Sequence, residues 1–123
     1  MSELYNETVL DHFRNPRNVG VLAGADAVGK AENSACGDVL HLYLRIDEGR
    51  VIDSRFKTFG CAAAIAAGSR LTELVRGATL DEVRRLRRQD VVDALGGLPP
   101  MKIHCSVLAE DAIRAALADF DSR

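Results

Sequence analysis

The sequence predicts an α+β domain, a small antiparallel sheet of about three strands with helices packed on one face. Three observations carry that prediction. From Val39 to Ile46 apolar residues recur at every second position, the period of strands, and Val51–Phe59 resumes after a turn. From Ala62 onward the spacing changes to that of helices, and strands followed by helices is the α+β order. The 123 residues, 47% apolar and 28% charged, suffice for one core and one domain over 1–123.

The first helix covers about Leu4–Arg14, with Tyr5, Val9, Leu10 and Phe13 on one stripe. Asn15-Pro16 ends it, because the residue before a proline avoids the helical region. Asn18–Gly29 carries three glycines and reads as irregular loop, and Lys30–Ser34 adds an edge strand. Leu40, Leu42, Leu44 and Ile46 then face a core, with Val39, His41, Tyr43 and Arg45 on the other side. Asp47-Glu48-Gly49-Arg50 has turn composition, and Val51–Phe59 closes a β-hairpin with Ile52 and Phe56 on one face.

Ala62–Arg76 is an Ala-rich helix with Ile65, Leu71, Leu74 and Val75 as its larger apolar residues and Gly77 as its stop. Thr79-x-x-Glu82 fits a capping box opening a short helix that carries Val83 and Leu86. Asp90 is placed to cap another, Val91–Leu95, which Gly96-Gly97 stops. After Pro99-Pro100, Ser106–Asp121 forms the last helix, with Val107, Leu108, Ala112, Ala116, Leu117 and Phe120 inward.

A formal charge of −2 argues against a general nucleic-acid binder, which needs a positive surplus. The longest uncharged stretch, Thr58–Ser69, falls short of the roughly 20 residues a spanning helix requires. Met1–Asn15 is charged throughout and lacks the apolar segment of a signal peptide. The expectation is a soluble cytoplasmic protein with neither nucleic acid nor membrane among its partners.

An odd cysteine count in such a chain argues against a disulfide framework, and no C-x-x-C pair is present. Cys36 lies in a loop before the first long strand, Cys61 joins the second strand to the Ala-rich helix, and Cys105 precedes the last helix. The latter two thus sit at helix N-termini, where unpaired N–H groups and the dipole favour a thiolate. Glycine adjoins two of them, Cys36-Gly37 and Gly60-Cys61, allowing backbone to approach a ligand closely. The plain alternative is three buried cysteines acting as small hydrophobes.

Asp38, two positions after Cys36, and His104, immediately before Cys105, complete a set. Three thiolates plus an oxygen or nitrogen suit tetrahedral Zn²⁺ and equally the terminal ligands of a [2Fe–2S] cluster. Alone, Asp38 would be an ordinary turn aspartate and His104 a loop histidine. His12 and His41 have no cysteine beside them and read as helix-surface and sheet-face residues.

Several strings together resemble the IscU/NifU-type iron–sulfur cluster assembly scaffolds. They are Asp11-His12-Phe13-Arg14-Asn15-Pro16-Arg17-Asn18-Val19-Gly20, Ala35-Cys36-Gly37-Asp38, Phe56-Lys57-Thr58-Phe59-Gly60-Cys61 and Leu98-Pro99-Pro100-Met101-Lys102-Ile103-His104-Cys105-Ser106. The tail Val107–Ile113 fits as well. The resemblance implies an IscU/SufE-like fold on which a [2Fe–2S] cluster is built from iron and desulfurase-derived persulfide sulfur, then handed to apo-proteins. It implies a non-enzymatic scaffold whose partners are a cysteine desulfurase, a DnaK-type chaperone with its co-chaperone, ferredoxin and recipient apo-proteins. Cys36, Cys61 and Cys105 match the family's three essential cysteines, Asp38 its motif aspartate and His104 its additional ligand candidate. Zn²⁺ at the same site is also implied. Leu98-Pro99-Pro100-Met101-Lys102 resembles the chaperone-recognised segment, with Met101 where valine is commoner, and two prolines there suggest an extended, exposed strip. The segment that SufU-type relatives carry before the last cysteine is missing, which disfavours the alternative of a zinc-dependent sulfurtransferase. The C-terminal extension of NifU is missing too, so no permanent second cluster site is expected.

The chemistry ranks these residues. A cluster held by three cysteines and a harder, protonatable carboxylate is weaker at one corner, which assigns Asp38 to release as well as binding. Sulfur transfer needs an accessible thiol of low pKa, which ranks Cys105, beside His104 and Lys102, ahead of Cys61 as persulfide acceptor.

Overall fold

The computed structural model describes residues 5–34 and 37–123. The cysteine at position 36 and the predicted helix start at Leu4 lie outside those residues. Helix α1 (Glu7–Arg14) starts at Asn6, whose side-chain oxygen accepts from the Val9 N–H at 2.9 Å, and ends at Asn15 before Pro16. Tyr5, Val9 and Leu10 are buried as expected, but Phe13 is exposed and His12 is inside. The helix-surface reading of His12 is therefore corrected. The face turned toward the core meets a polar patch, with His12 Nδ1 2.7 Å from Ser69 Oγ and Nε2 3.3 Å from a Glu73 oxygen. The Arg17 N–H also donates to Ser69 Oγ, at 2.9 Å. Ser69 Oγ thus joins the His12 ring of α1 to the backbone of the loop that follows it.

Burial is the largest influence on His12 and lowers its pKa; Arg17 and Arg70 add to this, while Glu73 and Asp11 oppose it. A His pKa lowered on folding means that the unfolded chain takes up the proton first. Stability is therefore held above the unfolded value of about 6.5 and declines as pH falls below it toward the folded value. Between pH 7 and pH 5 the urea midpoint is expected to fall less in His12→Gln than in the parent. Equal slopes would show that His12 does not carry this dependence.

The sheet has the order β1 (Ala27–Asn33), β2 (Asp38–Asp47), β3 (Arg50–Phe59), antiparallel throughout. Leu40, Leu42 and Leu44 are buried, and the 2-residue turn Glu48-Gly49 joins the hairpin, both residues at positive φ. One inward assignment is corrected. Arg45 pairs with Asp53 but Ile46 with Val51, so Ile52 is skipped at a bulge. That extra residue reverses the alternation: Val51 is buried and Ile52 is 51% exposed. The edge strand begins at Ala27, earlier than the predicted Lys30, where Gly29 lets the strand lie against a helix. The other edge is covered by residues 18–20, whose Asn18 carbonyl and Gly20 N–H pair with Phe56.

Helices α2 (Ala62–Val75) and α5 (His104–Ser122) pack on the inner face, and α1 packs on α2. Small residues make the first contact possible: a Cβ on Gly68 would lie 2.6 Å from the Phe56 ring. Both halves of the Thr79–Glu82 capping box form at the start of α3 (Leu80–Arg85). Helix α4 (Arg88–Ala94) starts before the predicted Val91. Asp90 is accordingly not its cap but lies within its first turn, where its carboxylate accepts from the Arg87 N–H at 2.8 Å. Among the described residues no helix is long and apolar enough to cross a membrane.

Two differences lie close to the cysteines. Leu98–Lys102 is not extended along its length: Pro100–Lys102 close a single 3₁₀ turn, with the Lys102 N–H donating to Pro99 O at 2.8 Å. Helix α5 begins at His104, so Cys105 lies inside its first turn rather than ahead of it.

Candidate metal centre

Three element ends converge. Asp38 opens β2, Cys61 is the N-cap of α2, and Cys105 stands in the first turn of α5. Cys61 makes no side-chain cap to its own helix, which leaves its sulfur to face the other two. The Cys61 and Cys105 sulfurs are 3.6 Å apart, and Cys61 Sγ is 3.8 Å from Asp38 Oδ2. One ligand atom from each of the three residues lies within 4.8 Å of the others. Around a tetrahedral ion with metal–sulfur bonds near 2.3 Å and metal–oxygen bonds near 2.1 Å, neighbouring donors stand roughly 3.6–3.8 Å apart. The two separations from Cys61 are already at that spacing, so this group fits a tetrahedral thiolate-rich ion, and it is the one such group among the described residues. His104 Nε2 lies 3.7 Å from Asp38 Oδ2, on the same rim but less buried. Asp38 and His104 are thus brought together, and the place of Cys36 lies outside the described residues.

Asp38 is 3% exposed, and its other oxygen accepts from the Cys61 N–H at 3.3 Å. Glycine is what makes room for it. A Cβ on Gly60 would stand 2.5 Å from Asp38 Oδ1 and 2.8 Å from its carboxyl carbon, so any larger residue displaces the carboxylate. The pairing of glycine with Cys61 noted in the sequence has this cause. It is clearance for a ligand on the neighbouring strand, beside the Val39–Phe59 pair and far off in sequence.

Cys105 does not match the accessible thiol of low pKa expected of it. It is fully buried, and burial is the main influence pushing its thiol far above the usual range; the nearby Cys61 and Asp38 add to this. Lys102 acts in the opposite direction without offsetting it. Cys61 is half-buried and is the more accessible of the two. Lys102 also interacts with Cys61, Cys105, Asp38 and Tyr5, and its ammonium is held in the charged form chiefly by Cys61. Tyr5, placed by the sequence on a helix stripe, instead precedes α1 and lies in the field of Lys102 and both thiols. No spacing rule could have put it there.

The description "NifU-like N terminal domain" belongs to the family model that matches residues 4–123. The chain is 50% identical to the iron–sulfur cluster assembly scaffold protein IscU of Escherichia coli K12, over 97% of this chain and 95% of that one. It is 49% identical to the protein of Archaeoglobus fulgidus named iron–sulfur cluster assembly scaffold protein IscU 1, covering 95% of this chain and 76% of that one. The crystal structure of a NifU-like protein (N-terminal) from Brucella abortus aligns with a TM-score of 0.78 at 26% identity, covering 98% of this chain and 96% of that one.

Proposed function

The chain belongs to the NifU-like N-terminal domain family, and from that premise we propose that it is a scaffold for assembling [2Fe–2S] clusters and passing them on. The observation that carries the proposal is the spacing of Asp38, Cys61 and Cys105, which presents two soft donors and one hard one to a metal. Iron and the nascent cluster are the cargo. Cys36, Cys61 and Cys105 hold it, with Asp38 or His104 at the fourth corner.

Sulfur arrives from a cysteine desulfurase as persulfide. A scaffold thiolate attacks the outer sulfur, a new S–S bond forms, and the desulfurase thiolate leaves. Of the two cysteines among the described residues, Cys61 is the more accessible to such a donor. Cys105, its sulfur 3.6 Å away and buried, accepts sulfur once it becomes exposed. Mass-spectrometric localisation of the trapped persulfide reads the order. Met101, 68% exposed beside Pro100, makes the Leu98–Lys102 segment the surface for a DnaK-type chaperone and its co-chaperone. Ferredoxin and apo-proteins are the recipients, and the working compartment is the cytoplasm. Zn²⁺ suits the same donors and competes for them.

The test is anaerobic. Protein, Fe²⁺, cysteine and a desulfurase are mixed, and visible circular dichroism is followed before and after apo-ferredoxin is added. A cluster spectrum that forms and then passes to ferredoxin is expected. Tightly retained zinc with persulfide relay but no cluster would replace the scaffold by a sulfurtransferase. In the same assay Asp38→Ala is expected to slow handover several-fold, because the readily protonated corner is gone. An unchanged transfer rate would remove Asp38 from the release step.

A further inference from the structure

Asn6 caps two helices at once. Its Oδ1 accepts from the Val9 N–H at the start of α1, while its Nδ2 donates to the Leu95 carbonyl at 2.9 Å and the Gly97 carbonyl at 3.2 Å. The Leu95 carbonyl is at the C-cap of α4, where the helix leaves its last acceptors without intrahelical partners, and the Gly97 carbonyl lies two residues beyond it. Asparagine supplies an acceptor and two donors from one short side chain, which serine, threonine and aspartate do not. The chain turns at this point through Gly96 and Gly97, at φ +77° and +109°, and Leu98–Lys102 follows directly. Gly96 is also where a side chain would press on the clasp, since a Cβ there would lie 3.2 Å from Asn6 Nδ2.

Beyond the clasp Leu98 packs against the core, and the residues after it are lightly held. The described bonds of the 3₁₀ turn are Lys102 N–H to Pro99 O at 2.8 Å and a long one, Ile103 N–H to Pro100 O at 3.4 Å. Pro99 and Pro100 have no N–H to contribute. Met101 and Ile103 are exposed, so little apolar contact retains them. A partner that reads this strip as extended chain must unwind the 3₁₀ turn, and the glycine pair is where the strip can pivot. The Asn6 amide ties that pivot to α1, while the Gly96 and Gly97 N–H groups tie it to the Asp93 and Val92 carbonyls of α4.

We infer that Asn6 is a latch between α1 and the glycine hinge that sets how often the Leu98–Lys102 strip opens to a peptide-binding partner. The identity of that partner as a DnaK-type chaperone rests on the function proposed above; the latch does not. Asn6→Ser keeps a side-chain oxygen for the α1 cap and removes both donors to α4. Hydrogen exchange at the Gly97, Lys102 and Ile103 amides is expected to quicken on the order of fivefold, the worth of two surface-facing bonds. Exchange at Val9 and Leu10 stays unchanged. Equal quickening in α1 would show that Asn6 is only a helix cap, and no change at the strip would show that it holds nothing there; either overturns the latch. Binding of the intact protein to a purified DnaK-type chaperone is expected to tighten by the same factor. Faster exchange without tighter binding would leave the latch standing and remove the chaperone reading.

Discussion

Gly29→Ala is expected to lower folding stability by about 3 kcal/mol, the upper end of the usual range for forcing extra atoms into a packed interior. The new Cβ would stand 2.1 Å from the Ala112 carbonyl oxygen, 2.5 Å from the Ala116 amide nitrogen and 2.9 Å from the Ala116 Cβ. Two of these are backbone atoms of α5, so no side-chain rotation relieves the clash. Either β1 lifts from the sheet or α5 moves outward, and α5 carries Cys105 at its other end. Domains of this size have roughly 5–15 kcal/mol in hand, so the loss is a large share of the total. At roughly 4 °C per kcal/mol the melting temperature would fall by about 12 °C. Urea unfolding of the metal-free protein measures it. A loss below about 1 kcal/mol would mean that the strand and helix adjust far more easily than this contact implies.

Features governed by neighbours in sequence were readable without the fold. The hairpin follows from alternation at Leu40, Leu42 and Leu44, and α3 from the spacing of Thr79 and Glu82, whose reciprocal bonds need only each other. The same holds for Cys61 as a junction residue, because Gly60 and the alanine run mark the change from strand to helix. What failed was decided across the core. Ile52 turned outward because one unpaired residue in β3 reverses the alternation, and nothing in Val51–Phe59 alone marks the skipped position. His12 went inside because Ser69, far along the chain, offers a partner for its ring. Cys105 lost the exposure expected of a helix N-terminus because α5 begins at His104 and turns it into the hydrophobic core. The candidate ligands could be named from cysteine neighbours, but their mutual distances come only from three element ends meeting.

That meeting makes the strongest ligand-linked prediction. Zn²⁺, used as a probe, binds the folded chain at preplaced donors, so excess ion should stabilise it by mass action. With free Zn²⁺ roughly a thousandfold above Kd the gain is about 4 kcal/mol, or a rise of roughly 15 °C in melting temperature. Zinc held by the thiols of the unfolded chain would reduce that figure. Cys61→Ser should abolish most of the gain, since its sulfur stands 3.6 Å from one donor and 3.8 Å from the other, and no ion bound between them avoids it. Gly60→Ala separates geometry from donor chemistry: it removes no ligand, yet its methyl group occupies the space of Asp38 Oδ1. The zinc-induced rise should therefore shrink in Gly60→Ala to about that of Asp38→Ala, and the double variant should fall no further, because both changes act on one carboxylate. Full stabilisation of Gly60→Ala by zinc would show that Asp38 is not a ligand and that the fourth corner belongs to His104, whose ring stands 3.7 Å away on the exposed side.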